Sequence, residues 1–126
     1  EETDLEVAAA NYAQTLQKIA GTPPVLDLVH LGLGADGHTA SLVPGDAVCE
    51  VTDRDVALTD IYQKRRRMTL TYPLINRARK ILWVVTGAEK VEMLGRLRRG
   101  DVSIPAGRIQ SASAVMLADL AAAAKL

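Results

Sequence analysis

This sequence has one cysteine, no surplus of charge of either sign and no long apolar run. Cys49 stands alone, so neither an intrachain disulfide nor a thiolate metal cluster is open to the chain. With 15 basic and 15 acidic residues the formal net charge is +0, which removes any bulk electrostatic pull toward nucleic acid or an anionic membrane. No apolar stretch approaches the ~20 residues that a bilayer-spanning helix needs. The opening residues show no basic segment followed by a small-residue cleavage pattern. Together these absences lead to the expectation of a reducing, cytoplasmic setting. There is no internal repeat, no low-complexity linker and no sign of a second domain. The first residues, Glu1-Glu2-Thr3, include no methionine, which suggests a piece of something longer. What is present, 126 residues of which 48% are hydrophobic and 24% charged, suffices for one globular domain over residues 1–126 with a real core.

The rest of the chain is organised around the stretch from Leu26 to Gly45. It begins as a near-continuous apolar run, Leu28-Val29-His30-Leu31, which reads as a strand buried on both faces of a parallel sheet. Gly32, Gly34, Asp36, Gly37, His38, Thr39 and Ser41 follow in close succession. A buried strand running into a glycine-rich polar loop is where open α/β sheets hold their ligands, outside the carboxyl ends of the strands.

Around it, apolar residues at Leu5, Ala8, Ala9, Tyr12, Leu16 and Ile19 recur at helical spacing, with Thr3 or Asp4 placed to cap the start. Gly21-Thr22-Pro23-Pro24 stops that helix and launches a strand over Val25–Leu33. A short strand is expected over Val56–Thr59. Met68–Thr71 leads into a helix around Leu74–Arg79, and Lys80–Thr86 forms a second continuous apolar strand. A helix follows over Ala88–Arg99, then a loop over Asp101–Gln110, a last strand over Ala114–Leu117 and a last helix over Asp119–Lys125. Strands alternating with helices predict a mostly parallel α/β sheet.

Asp36 and His38 carry the chemistry that the loop suggests. Histidine is the side chain whose ordinary pKa, near 6.5, suits it to take a proton from water at neutral pH, and a neighbouring carboxylate fixes its tautomer. On the residues alone, a turn-capping Asp36 beside a solvated His38 is an equally good reading. His30, in the middle of a strand among leucines, reads as a core histidine. The glycines do not complete a dinucleotide fingerprint, since the expected G-x-G-x-x-G spacing is broken by Asp36-Gly37-His38. Ser41 lies outside a G-x-S-x-G elbow. Asp36, His38, Asp46 and Cys49 lack the spacing of a metal site, so none is expected. By the same generic criteria Arg67 is one of three adjacent arginines in a solvated charge run, and Lys90 is an ordinary helix lysine.

The segment Leu31-Gly32-Leu33-Gly34-Ala35-Asp36-Gly37-His38-Thr39-Ala40-Ser41-Leu42-Val43-Pro44-Gly45 resembles the signature of the 6-phosphogluconolactonases. Arg67-Met68-Thr69-Leu70-Thr71, Thr86-Gly87-Ala88-Glu89-Lys90 and Asp119 follow in that family's order. The resemblance implies a Rossmann-like three-layer α/β/α sandwich, and hydrolysis of 6-phospho-D-glucono-1,5-lactone without cofactor or metal. It implies His38 as general base, Asp36 as its support, Arg67 and Lys90 at the substrate phosphate, and the backbone around Gly34 and Gly37 lining the lactone site as possible oxyanion donors. The glucosamine-6-phosphate deaminases share the fold and the D-G-H motif, but they carry an acid shortly after the histidine where Val43 stands here. A deaminase-like enzyme and a non-catalytic sugar-phosphate-binding fragment are the competing readings. Nothing in residues 1–25 resembles the Gly-Gly-Ser-Thr loop of the family's first half. The N-terminal part of the fold is therefore expected to come from a second chain or segment, and the chain reads as a carboxyl-terminal portion.

Overall fold

A computed structural model describes residues 4–126. It opens with helix α1, Leu5–Ala20, whose first turn is closed by the Asp4 carboxylate accepting from the N–H groups of Glu6 (2.9 Å) and Val7 (3.4 Å). Thr3, the other expected cap, lies outside the described residues. Gly21, at φ +92°, ends the helix. The expected apolar face is only partly used: Ala9 and Leu16 are buried, whereas Ile19 is 79% exposed.

Three short parallel strands make the main sheet: β1 (Val29–Leu31), β4 (Ile81–Val85) and β5 (Ala114–Ala118), in the order β1-β4-β5. Val29 pairs with Ile81 and Leu31 with Trp83, while Ile81 pairs with Ala114 and Val85 with Ala118. Between β1 and β4 the chain forms an antiparallel hairpin of β2 (Val56–Leu58) and β3 (Met68–Leu70), then helix α2 (Tyr72–Arg77). After β4 a single 3₁₀ turn, Ala88–Lys90, leads into helix α3 (Val91–Arg98). This is an α/β arrangement of Rossmann-like kind, a parallel sheet with helices in its crossovers. No described helix is long and apolar enough to cross a membrane.

Strand side chains alternate between faces, and here the faces differ. Val29, Leu31, Ile81, Trp83 and Val85 point into a core with Leu42, Ile75, Leu94, Leu97 and Ile104. His30, Val84, Val115 and Leu117 stand exposed on the opposite face, with Leu82 half-covered. The apolar runs were expected to be buried on both faces; among the described residues only one face is covered, and no second helical layer is present. His30, expected in the core, is exposed for the same reason. The strand expected over Val25–Leu33 narrows to three residues, because only Val29–Leu31 finds a ladder partner in β4.

Two further expectations are corrected. Met68–Leu70 forms β3 on β2 rather than serving only as the approach to a helix. Asp119–Lys125 is a set of turns rather than a helix. Asp119 caps the Ala122 N–H through its carboxylate (2.7 Å) and accepts from Ala123 through its carbonyl (3.0 Å). The segment expected as loop over Asp101–Gln110 includes a 3₁₀ turn, Pro105–Arg108.

Candidate functional site

The loop after β1 is held by its own backbone. The Gly34 N–H donates to the His38 carbonyl (2.8 Å) and the Gly37 N–H to the Gly34 carbonyl (3.0 Å). The buried Thr39 hydroxyl donates to the Gly32 carbonyl (2.9 Å), tying the far side of the loop to the end of β1. Gly37 sits at φ +86° with its α-carbon against Ile104, where an added Cβ would lie 2.8 Å from that side chain. Its carbonyl accepts from Ala106 (3.0 Å), which anchors the loop to the Pro105–Arg108 turn. Both glycine N–H groups are used inside the loop, and the missing side chain at each makes room for a close neighbour.

That packing aims one pair of side chains. Asp36 Oδ1 lies 2.5 Å from His38 Nδ1 and also accepts from the His38 backbone N–H (3.0 Å). A carboxylate at Nδ1 favours the tautomer that carries its hydrogen there and turns Nε2 away from Asp36, in a side chain that keeps 31% exposure. Burial pushes the Asp36 carboxyl up, but the hydrogen bonds from the His38 backbone and ring outweigh it and hold the carboxyl below its ordinary range. An ionised carboxylate against a neutral imidazole is an arrangement that stabilises the imidazolium formed on proton uptake.

Arg67, at the start of β3, is brought to this pair from the other side. Its backbone N–H donates to the Thr59 hydroxyl (3.0 Å) and its carbonyl accepts from the Thr59 N–H (2.9 Å). Its guanidinium lies over the Tyr62 ring, 5.2 Å from the centroid, and donates to Gln63 Oε1 (2.9 Å). The Tyr62 ring in turn stands 6.2 Å from the His38 ring with the planes 60° apart. Arg54, Arg66, Arg77, Arg79, Arg96 and Arg108 each face a carboxylate. Arg67 faces none among the described residues, nor do Arg65, Arg98 and Arg99, and of these four it alone is half-buried rather than exposed.

The remaining candidates fall into place less tightly. Lys90 closes the 3₁₀ turn after β4, at the same carboxyl end of the sheet as the His38 loop, yet no described contact joins it to His38, Asp36 or Arg67. The Gly87 N–H ahead of it is held by the Asp119 carboxylate (3.1 Å to Oδ2). Val43, where a deaminase would carry its acid, is a buried apolar residue and cannot move a proton. Among the described residues, no group of three or more His, Cys, Asp or Glu side chains could hold a metal. Tyr62 and Gln63 escaped the sequence reading, because a two-residue turn through Gln63 and Lys64 lacks the glycine or asparagine that announces a tight hairpin.

Comparison with known proteins bears directly on this site. A model of the family described as glucosamine-6-phosphate isomerases/6-phosphogluconolactonase matches residues 1–117. The chain is 38% identical over 128 residues to a 6-phosphogluconolactonase of Nostoc, covering 95% of this chain and 53% of that one. It is 40% identical over 131 residues to a 6-phosphogluconolactonase of Mycobacterium tuberculosis, covering 98% and 53% respectively. Among solved structures, that of 6-phosphogluconolactonase from Trypanosoma brucei superposes with a TM-score of 0.82 at 28% identity, over 100% of this chain and 56% of that one. The chain spans about half the length of the relatives it matches.

Proposed function

The chain belongs to the glucosamine-6-phosphate isomerase/6-phosphogluconolactonase family, and from that premise we propose that residues 1–126 are the carboxyl-terminal portion of a lactonase domain. In this reading it supplies the general base and the phosphate-binding arginine for hydrolysis of 6-phospho-D-glucono-1,5-lactone to 6-phospho-D-gluconate. The observation that carries the reading is the Asp36–His38 pair, linked through the Tyr62 ring to an arginine that faces no carboxylate among the described residues. Solved and curated relatives named 6-phosphogluconolactonase support it.

The chemistry runs from the geometry. His38 Nε2 takes a proton from water as the water oxygen bonds to the lactone carbonyl carbon and the carbonyl electrons move to oxygen. Asp36, hydrogen-bonded at Nδ1, offsets the imidazolium charge. Collapse of the tetrahedral intermediate breaks the bond to the ring oxygen, which takes back the proton from Nε2. The net change is addition of one water. Arg67 holds the 6-phosphate with paired donors and Lys90 acts on the same anion as a point charge. Gly34 and Gly37 let the loop backbone close against the lactone.

The uncovered sheet face is where the other half of the family's fold is placed. Val84, Val115 and Leu117 are 38%, 53% and 55% exposed there, an apolar surface that a lone domain rarely leaves open. The buried, unpaired thiol of Cys49, pushed up by burial, fits a reducing cytoplasmic setting.

The deciding experiment mixes this chain with the amino-terminal half of a close relative and follows lactone opening by proton release, with the spontaneous rate subtracted. Hydrolysis above background is expected, and His38→Gln should lower it by about 10²–10⁴-fold. Binding of 6-phosphogluconate should change by less than about twofold, since a base contributes to the transition state rather than to product affinity. Equal rates with and without His38 would sink the assignment.

A further inference from the structure

The tip of the β2–β3 hairpin carries Tyr62, whose ring neighbours both His38 and Arg67 of the proposed site. Tyr62 and Arg65 pair as a tight turn, with the Tyr62 N–H donating to the Arg65 carbonyl (3.0 Å) and the Arg65 N–H to the Tyr62 carbonyl (3.1 Å). Gln63 and Lys64 between them sit at φ +49° and +65°, a left-handed pair that non-glycine residues adopt only at a cost. This mirror-type turn follows the right-handed twist of the strands. It also fixes where residue 62 points: its ring centroid lies 6.2 Å from that of the His38 imidazole and 5.2 Å from the Arg67 guanidinium carbon. Gln63 holds the same guanidinium from the side by a 2.9 Å hydrogen bond.

We propose that Tyr62 is a positioning residue that holds the His38 imidazole and the Arg67 guanidinium in one arrangement. Asp36 fixes His38 at Nδ1 only, and a single hydrogen bond leaves the half-exposed ring free to tilt about it. The Tyr62 ring closes one side of that range. Arg67 has no carboxylate to orient it, so the aromatic face and the Gln63 amide do so while leaving its charge available. A carboxylate in place of Tyr62 would orient the arginine equally well but would neutralise it; an aromatic ring orients without neutralising. The inference rests on the lactonase reading for its functional meaning, but its physical content is independent of activity.

The test is therefore spectroscopic and uses the whole chain. Only two histidines are present, and His30, exposed on the far face of the sheet, is the internal reference. Tyr62→Leu should move the His38 Cε1–H resonance and the Arg67 Nε–H resonance while His30 stays in place. It should also weaken inorganic phosphate binding by about two- to fivefold, the worth of an exposed cation–aromatic contact. Tyr62→Phe keeps the ring and should restore all three readouts. Unmoved His38 and Arg67 resonances in a folded Tyr62→Leu chain would overturn the proposal. If that variant loses its dispersed amide spectrum, the decision passes to the unmodified chain. There a nuclear Overhauser contact between the Tyr62 and His38 rings is required, and its absence overturns the proposal equally. Failure of the unmodified chain to bind phosphate would count against the lactonase reading alone, since the two resonances still report on Tyr62.

Discussion

Replacing Gly34 by alanine attacks the closest approach around the Asp36–His38 pair. A Cβ built there overlaps the His38 ring at Nδ1 and Cε1 and comes within 2.7 Å of Asp36 Oδ1. Two escapes exist. The imidazole swings away and loses its hydrogen bond to Asp36, or the loop opens and loses the Gly34-to-His38 and Gly37-to-Gly34 backbone bonds. A hydrogen bond to a charged group contributes ~1.5–3 kcal/mol. Since the His38 and Asp36 side chains keep 31% and 42% exposure, solvent screening reduces that to about 1 kcal/mol. Opening the loop costs a comparable ~1–3 kcal/mol for two neutral bonds. The ring should therefore swing, at about 1 kcal/mol, or roughly 4 °C in Tm for a chain of this size. Gly32→Ala is the matched control, because a Cβ there meets nothing within 4 Å. It also shares the ~0.4–1 kcal/mol that any Gly→Ala change gains by stiffening the unfolded chain. The assay is thermal unfolding of both variants, with carbon-detected titration of the Asp36 carboxyl. In Gly34→Ala that carboxyl should rise toward its ordinary range, and in the reconstituted enzyme the rate should fall by about 10²-fold or more as the base loses its aim. If Gly34→Ala matches Gly32→Ala in Tm and in Asp36 titration, the argument that the missing Cβ makes room for the imidazole is wrong.

Acid should destabilise the chain through carboxyls held low in the folded state, with the exposed Asp53, lowered by its hydrogen bond from Arg54, contributing least. Asp101, hydrogen-bonded by the Ser103 hydroxyl and then by Arg96, is lowered from 3.8 to about 2, and Asp36 is lowered by His38. A depressed folded-state value means the contribution is present above the unfolded value and lost as pH falls through the folded one. The Tm should accordingly fall between about pH 4 and 2, and Asp101→Asn should flatten that decline in calorimetric scans; an unchanged slope would refute it. On the bare sheet face, Val115→Lys with Leu117→Lys should leave the unfolding free energy of this chain within about 1 kcal/mol of the unmodified value, since both side chains already meet water. The same pair should abolish association with the amino-terminal half in sedimentation experiments, and retained association would show that this face is not the docking surface.

Residues close in sequence were legible and residues brought together by folding were not. Asp36 and His38 are two positions apart, so a carboxylate able to reach Nδ1 follows from local geometry, and the glycines around them predict a tight loop. The apolar runs of β1 and β4 were visible as strands, but their burial was not, because an apolar residue is the same letter whether its face is covered or bare. His30 failed for that reason: its neighbours are leucines, yet the face it shares with Val115 and Leu117 has nothing upon it. The stretch Asp119–Lys125 departs in another way, since its alanines and the Asp119 cap to Ala122 favour a helix while the segment folds as turns.

The parallel α/β class and the strand running into a tight polar loop were legible along the chain, because periodicity and glycine freedom are local, whereas the residues alone left Asp36 and His38 equally open to a capped, solvated turn. Only the tertiary structure decided that Arg67 meets Tyr62, that Tyr62 meets His38, and that one sheet face is left open. Those depend on where the β2–β3 hairpin lands and on what packs against β1, β4 and β5, and contacts between segments distant in the chain leave no local pattern to read.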